Sequence, residues 1–320
     1  MSPATRSVAA VDIGTNSTRL LVCDVHGNEL ERRTIITRLG QGVDAERRLR
    51  AEAIDRTCDA LREFANIWTA HGVDPTTSVR IIATSASRDA SNREQFFDRA
   101  EEACGVRPEL VSGDAEAALA FVGATVGLHP HDGPFLVVDI GGGSTEFILG
   151  SLDPDTRAPS ITGSISIDMG SVRLTERELH GDPPRAEELS NAIGFVADHL
   201  EDVERAISGI RAHRTLIGVA GTITTVAAVE LGLAVYDRSA VHRFRLSRAA
   251  AEDVFRTLAT ESLADRLHNP GLPAARADII VGGCCILVGI MRWLKADSLL
   301  VSETDLLDAL ARSLSDGLQS

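Results

Sequence analysis

The chain has 320 residues, a length that suits two domains better than one; 44% of them are hydrophobic and 24% charged, ordinary values for a soluble globular protein. Acidic side chains outnumber basic ones, 46 to 32, and the net charge of −14 argues against broad electrostatic binding to nucleic acid or an anionic membrane, though not against a polyanion held by a local cluster and metal. Lys295 is the single lysine, so there is no Walker A loop and no basis for Schiff-base chemistry, and phosphate recognition falls to arginine.

In chain order, Val8 to Asp24 reads as a hairpin, with a third strand at Glu29 to Arg38. Apolar residues at helical spacing mark Ala53 to Thr69. "VRIIATSA" is a strand that leads through "SRDASN" to a helix over Arg93 to Cys104, for which Asn92 or Ser91 is the expected cap. "ELVSGDAEAALAFVGATVG" gives a short strand, a turn and a helix from about Asp114. From residue 135 the pattern recurs: a hairpin, a third strand near Ser160 to Met169, a long helix over Ala186 to Ala206, the strand "RTLIGVAG" and the helix "TITTVAAVEL". Ile279 to Trp293 is a core helix, too short and glycine-rich to span a bilayer. The strand "SLLVS" follows, then a helical tail over Asp305 to Leu318, which we expect to cross back to the first half. Five cysteines without C-x-x-C spacing read as free thiols of a reducing cytoplasm, and no signal core opens the chain.

Two stretches superpose without a gap: "VAAVDIGTNSTRLLV" at 8–22 and "FLVVDIGGGSTEFIL" at 135–149. Each is a strand, a glycine turn and a returning strand, the trace of a duplicated domain. Such turns turn backbone N–H groups and hydroxyls towards one point, as an anion-binding loop does. An ordinary glycine-rich hairpin also fits either turn alone. Asp12 and Asp139 end the first strand of each unit, where a carboxylate beside a phosphate needs an intervening cation or water.

The ordered set "DIGTNSTRLLV", "IIATSASRDASN", "SGDAEA", "VVDIGGGSTE", "GVAGTITT" and "RADIIVGG" resembles the exopolyphosphatase and guanosine pentaphosphate phosphohydrolase family in its short, two-domain form, over nearly the whole chain. The resemblance implies an α/β fold of duplicated actin-like, ribonuclease H-like domains with the ligand in the cleft between them. The expected domains are 1–125 with about 303–320, and 126–302. It further implies hydrolysis of the terminal phosphoryl group of inorganic polyphosphate, or of guanosine pentaphosphate, usually with magnesium; manganese is a substitute. Homodimers are common among similar proteins.

The family pattern assigns Glu116 as the base that activates water, and Arg88 as a phosphate-binding arginine. Asp139 and Glu146 resemble its metal-associated carboxylates. Phosphoryl contacts fall to Asp12, Gly14, Thr15, Asn16, Ser17 and Thr18 in the first loop, to Gly141, Gly142, Gly143, Ser144 and Thr145 in the second, and to Gly221 and Thr222 at a helix start. Read without the family, Glu116 also suits a helix dipole, Asp139 a turn cap, Glu146 a solvated strand face, Arg88 a surface ion pair, and Gly221 with Thr222 a plain turn. Arg32, Arg33, Arg38, Arg47, Arg48 and Arg50 read mainly as solvated surface, Arg38 being the inward candidate. Two departures stand out: Ala115 where the family shows a second acid, and "SETDLLDALA" where its closing helix carries an arginine. An exopolyphosphatase is the first expectation and a guanosine pentaphosphate hydrolase the second, ahead of an actin-like ATPase or kinase and of a silent polyphosphate-binding regulator.

Overall fold

The computed structural model describes residues 7–319. The chain folds into two compact units, one up to Leu119 and again from Leu306, the other Ala120–Asp305. Each is α/β, built on one open mixed sheet.

In the first unit the strands are β1 (Ser7–Ile13), β2 (Ser17–Asp24), β3 (Glu29–Ile36), β4 (Val79–Ala83) and β5 (Glu109–Leu110), in the order β3-β2-β1-β4-β5. β1 is central and buried along its whole length, which is why "VAAVDI" is a continuous apolar run closed by one acid and not an alternating one. It pairs antiparallel with β2 and parallel with β4. The helix Ala51–Ala70 buries Leu61, Phe64 and Trp68 in a core shared with Phe96 and Phe97 of the helix Arg93–Cys104. The tail helix Leu306–Gln319 packs on β1, β2 and β4, burying Leu306, Leu307, Leu310 and Ala311, while its Asp308 receives Arg32 of β3 at 2.5 Å.

The second unit contains β6 (Phe135–Ile140), β7 (Thr145–Leu152), β8 (Pro159–Ile167), β9 (Thr215–Val219), β10 (Arg245–Ser247) and β11 (Ser298–Val301). Read from β8 its order is β8-β7-β6-β9-β11-β10, so five strands repeat the order of the first sheet and β10 adds an antiparallel edge. Three residues cannot display an alternation, and the sequence gives no sign of β10. The core helix Ile280–Leu294 is buried on nearly every face. Its Gly282 and Gly283 leave room for the helix Ser171–Glu178 and for Thr222 to approach its backbone.

Two local expectations change. "SASRD" forms a short helix, Ser85–Asp89, and Asn92 takes the expected N-cap position of Arg93–Cys104 but without a side-chain cap: its side chain bridges instead to the backbone N–H and carbonyl of Leu49, at 2.8 and 3.0 Å. Ser91 likewise turns to the Arg47 carbonyl. The five cysteines are free and buried, and among the described residues no helix is long and apolar enough to cross a membrane.

Candidate active site

The two glycine turns close with the same bond. Gly14 N–H donates to the Ser17 carbonyl at 2.9 Å, and Gly141 N–H donates to the Ser144 carbonyl at 3.0 Å. What surrounds each turn differs.

In the first unit, the backbone of residues 37–40 is laced onto the turn. Thr37 and Arg38 both donate to the Asn16 carbonyl, and Gly40 donates to that of Thr15. Gly40 has no space for a Cβ, since Thr15 and Ala86 lie against it. Arg38 takes a left-handed conformation, φ 51°, rare for an arginine and held here by that lacing. The Thr18 and Thr37 hydroxyls bond each other at 2.9 Å, so Thr18 faces inward and only its neighbours Thr15, Asn16 and Ser17 remain to offer polar groups from the turn.

Asp12 stands opposite Arg19 in the β1/β2 register. Directly opposed residues share a sheet face, and Arg19 donates Nε and Nη2 to Asp12 Oδ2, at 3.0 and 2.7 Å. The carboxylate beside this loop is thereby neutralised within its own hairpin. Arg88, on the short helix after β4, reaches Glu116 Oε2 at 2.6 Å and the Val111 carbonyl at 3.2 Å. Glu116 lies in the first turn of the helix Gly113–Thr125 and is 8% exposed. Burial raises its pKa above the ordinary glutamate value, Arg88 opposes the rise, and the charges of Asp12 and Arg19 act on it in opposite senses. The result is a buried carboxylate that is a stronger base than that of a surface glutamate. Ser85, one helical turn from Arg88, keeps a buried hydroxyl with no protein partner.

In the second unit, the register partner of Asp139 is Glu146. Two acids therefore share one face at the mouth of the turn, 6% and 1% exposed. Ser166 of β8 donates to Glu146 Oε1 at 2.7 Å. The start of the helix Ser171–Glu178 supports the turn from behind. Ser171 N–H donates to the Gly141 carbonyl, Val172 and Arg173 to that of Gly142, and Arg173 Nε to that of Gly143 at 2.9 Å. With all three glycine carbonyls engaged on one side and the Gly141 N–H closing the turn, the N–H groups of Gly142 and Gly143 are those left to serve the other. Gly170 is obligatory, because a Cβ there would fall on the backbone of Gly142 and Gly143. Thr145 gives its hydroxyl proton to the Met169 carbonyl, which leaves the turn's backbone and Ser144 as its outward polar groups.

Gly221 and Thr222 open the helix Ala220–Glu230 directly after β9. Ala220 is left-handed, φ 68°, and the Arg276 guanidinium lies so close over Gly221 that a side chain there would meet it. Nearby, the Tyr236 hydroxyl bonds Glu303, which also receives Arg238 at 3.2 Å.

Of the expected residues, Asp12, Arg88 and Glu116 come together around the first turn, and Asp139 and Glu146 around the second. Among the described residues no group of three or more His, Cys, Asp or Glu is arranged to hold a metal. Two buried, side-by-side carboxylates nonetheless fit magnesium, a hard ion that takes one or two carboxylates and fills its octahedron with water and phosphate oxygens. Three of the six arginines in the arginine-rich stretch are paired with acids: Arg32 with Asp308 and Glu29, Arg33 with Glu31, and Arg50 with Glu46. Arg19, Arg173, Arg276 and Gly170 were not anticipated. Arg19 was the readable one, since the repeat aligns its "STR" with "STE".

Twin glycine turns at strand ends, one beside an arginine-held buried glutamate and the other beside an acid pair, define an α/β protein equipped for phosphoryl groups. The chain belongs to the Ppx/GppA phosphatase family, whose model matches residues 7–311. It is 40% identical to exopolyphosphatase 2 of Mycobacterium tuberculosis, over 96% of this chain and 98% of that one. A crystal structure of an exopolyphosphatase-like protein superposes with a TM-score of 0.89 at 36% identity, covering 98% of this chain and 99% of the other. The guanosine-5'-triphosphate,3'-diphosphate pyrophosphatase of Vibrio atlanticus is 30% identical over 96% of this chain, but the match spans 59% of that protein.

Proposed function

We propose that the protein is an exopolyphosphatase, releasing orthophosphate from the end of inorganic polyphosphate by attack of water on the terminal phosphorus. The observation that carries this reading is Glu116: buried, hydrogen-bonded to Arg88, raised in pKa, and in electrostatic contact with Asp12 and Arg19 beside the first glycine turn. Full-length likeness to an exopolyphosphatase supports polyphosphate ahead of guanosine pentaphosphate.

In this mechanism Glu116 orients the attacking water and takes its proton as the oxygen–phosphorus bond forms. Arg88 holds the Glu116 carboxylate in place and offsets charge on the transferring group. In the first unit the N–H groups of Thr15 to Ser17, and in the second those of Gly142 to Ser144, are the donors for phosphoryl oxygens, which orients the substrate for in-line displacement. Gly221 and Thr222, with Arg276 above them, hold a further phosphate of the chain. Asp139 and Glu146 would hold magnesium, or manganese in its place, which when bound supplies Lewis-acid neutralisation of phosphate oxygens. The common strand order and the shared turn bond further support reading the two units as duplicated actin-like, ribonuclease H-like domains, bounded near 1–125 with 303–320 and 126–302.

Orthophosphate release from long-chain polyphosphate, short-chain polyphosphate and guanosine pentaphosphate, measured with magnesium or manganese, tests the reading. Polyphosphate should be cleaved, and Glu116→Gln should bind it while losing on the order of 100-fold or more in kcat, the contribution of a general base. Full turnover in that variant removes Glu116 from the chemistry, and release from guanosine pentaphosphate alone transfers the activity to that substrate.

A further inference from the structure

We propose that Arg173 is a built-in counter-cation for the Asp139–Glu146 pair, a positioning residue that offsets the charge of the two acids and sets how tightly they take a divalent cation. The proposal rests on the reading that this pair serves phosphoryl hydrolysis.

Arg173 is 8% exposed, and a guanidinium taken out of water needs anionic partners. Asp168, 3.8 Å away with a side chain 69% exposed, is a weak partner of this kind. The position of the guanidinium is fixed by Nε on the Gly143 carbonyl and by the residue's own N–H on that of Gly142. It is thus anchored on the turn that joins Asp139 to Glu146. Those two carboxylates carry the opposite charge. They are opposed in register, nearly inaccessible, and repel each other, with Ser166 bonded to one of their oxygens.

The first unit solves the same problem differently. There the register partner of the strand-end aspartate is itself an arginine, Arg19, and balance is reached inside the hairpin. In the second unit glutamate occupies that position, and the arginine arrives from the helix that supports the turn. Two carboxylates and one guanidinium leave a single negative charge. That set admits a divalent cation and becomes positive once it is bound, a balance suited to receiving a phosphate chain. It also lets the turn keep its shape before any metal arrives.

The test is a titration of the full-length protein with Mn2+, reading free ion by electron paramagnetic resonance without substrate, alongside thermal unfolding with and without Mn2+. Arg173→Gln removes the competing charge. Mn2+ should then bind about tenfold more tightly, the consequence of one unit of electrostatic competition at short range. The variant should melt lower than wild type in metal-free buffer and recover more of the difference when Mn2+ is added. Arg173→Lys keeps the charge and loses the Nε contact with Gly143, so its Mn2+ affinity should match wild type even where its melting temperature does not. Combining Glu146→Gln with Arg173→Gln should cost less than the two separate losses together.

Equal Mn2+ affinity in wild type and Arg173→Gln, with strictly additive melting shifts, would show that Arg173 only props the turn, and would overturn the proposal. If Arg173→Gln does not fold, a tightened Mn2+ affinity in Arg173→Lys overturns it equally. Polyphosphate turnover of the wild type is measured separately: its absence refutes the hydrolytic reading, whereas the metal titration decides the role of Arg173.

Discussion

At Glu116 burial and charge act against each other, and burial prevails. A base works as its anion, so a carboxylate whose pKa is raised loses activity at a higher pH than an ordinary glutamate would, near 4.3. The acid limb of kcat/KM should therefore lie above that value. Arg88 is the largest influence pulling the pKa down, hence Arg88→Gln should move the acid limb to still higher pH. Its activity relative to wild type should fall more at pH 6 than at pH 9. A uniform loss across the profile would mean that Arg88 contacts substrate without tuning the base. Ser85 lies one helical turn from Arg88. Its buried hydroxyl is matched by no protein group, and an unpaired hydroxyl costs about 1–3 kcal/mol unless water or a ligand oxygen meets it.

The element that matters most for the second turn is the helix Ser171–Glu178, whose first residues hold the carbonyls of Gly141, Gly142 and Gly143. Gly170 is the point of closest approach, so Gly170→Ala must push backbone against backbone. Overpacking of this kind costs about 1–3 kcal/mol. We expect at least a tenfold loss in kcat/KM with secondary structure intact by circular dichroism. Gly194 is the control: it lies inside the helix Ala186–Ala206 with nothing near its missing Cβ, and Gly194→Ala should leave activity unchanged and raise stability by up to about 1 kcal/mol. The sequence made the turn legible, since "DIGGGST" announces itself by composition and by its repeat. It could not make the support legible. Gly170 and Arg173 sit some thirty residues beyond the turn, and only the return of the chain after β8 brings them onto the glycine carbonyls. The same limit applies to Asn92, which has the composition of a cap but is drawn away by Leu49. Glu116 and Arg88 were legible from their motifs, but their mutual hydrogen bond depends on a parallel strand pairing between β4 and β5 that no local pattern specifies.

At the scale of the whole molecule, an acidic protein of net charge −14 is asked to capture a polyanion. Many surface arginines are already paired with nearby acids: Arg107 with Glu94, Asp98 and Glu101, Arg99 with Asp55, and Arg211 with Glu204. Such pairs leave little long-range positive potential, and the proposed mechanism draws instead on local cations, Arg88 and Arg276. Long-range repulsion should then oppose the encounter, while local contacts hold the substrate once it has arrived. Salt separates the two effects by distance. The Debye length shrinks from roughly 30 Å at 0.01 M to roughly 10 Å at 0.1 M, which screens the encounter far more than contacts made at hydrogen-bond range. For long-chain polyphosphate, kcat/KM should consequently rise as ionic strength is raised over this interval at constant free magnesium, with kcat nearly unchanged. Orthophosphate, a small anion, should show a weaker salt dependence as a competitive inhibitor. A monotonic fall of kcat/KM with salt would instead reveal a continuous basic track along the chain's path, and would place affinity in many weak arginine contacts instead of in the two glycine turns.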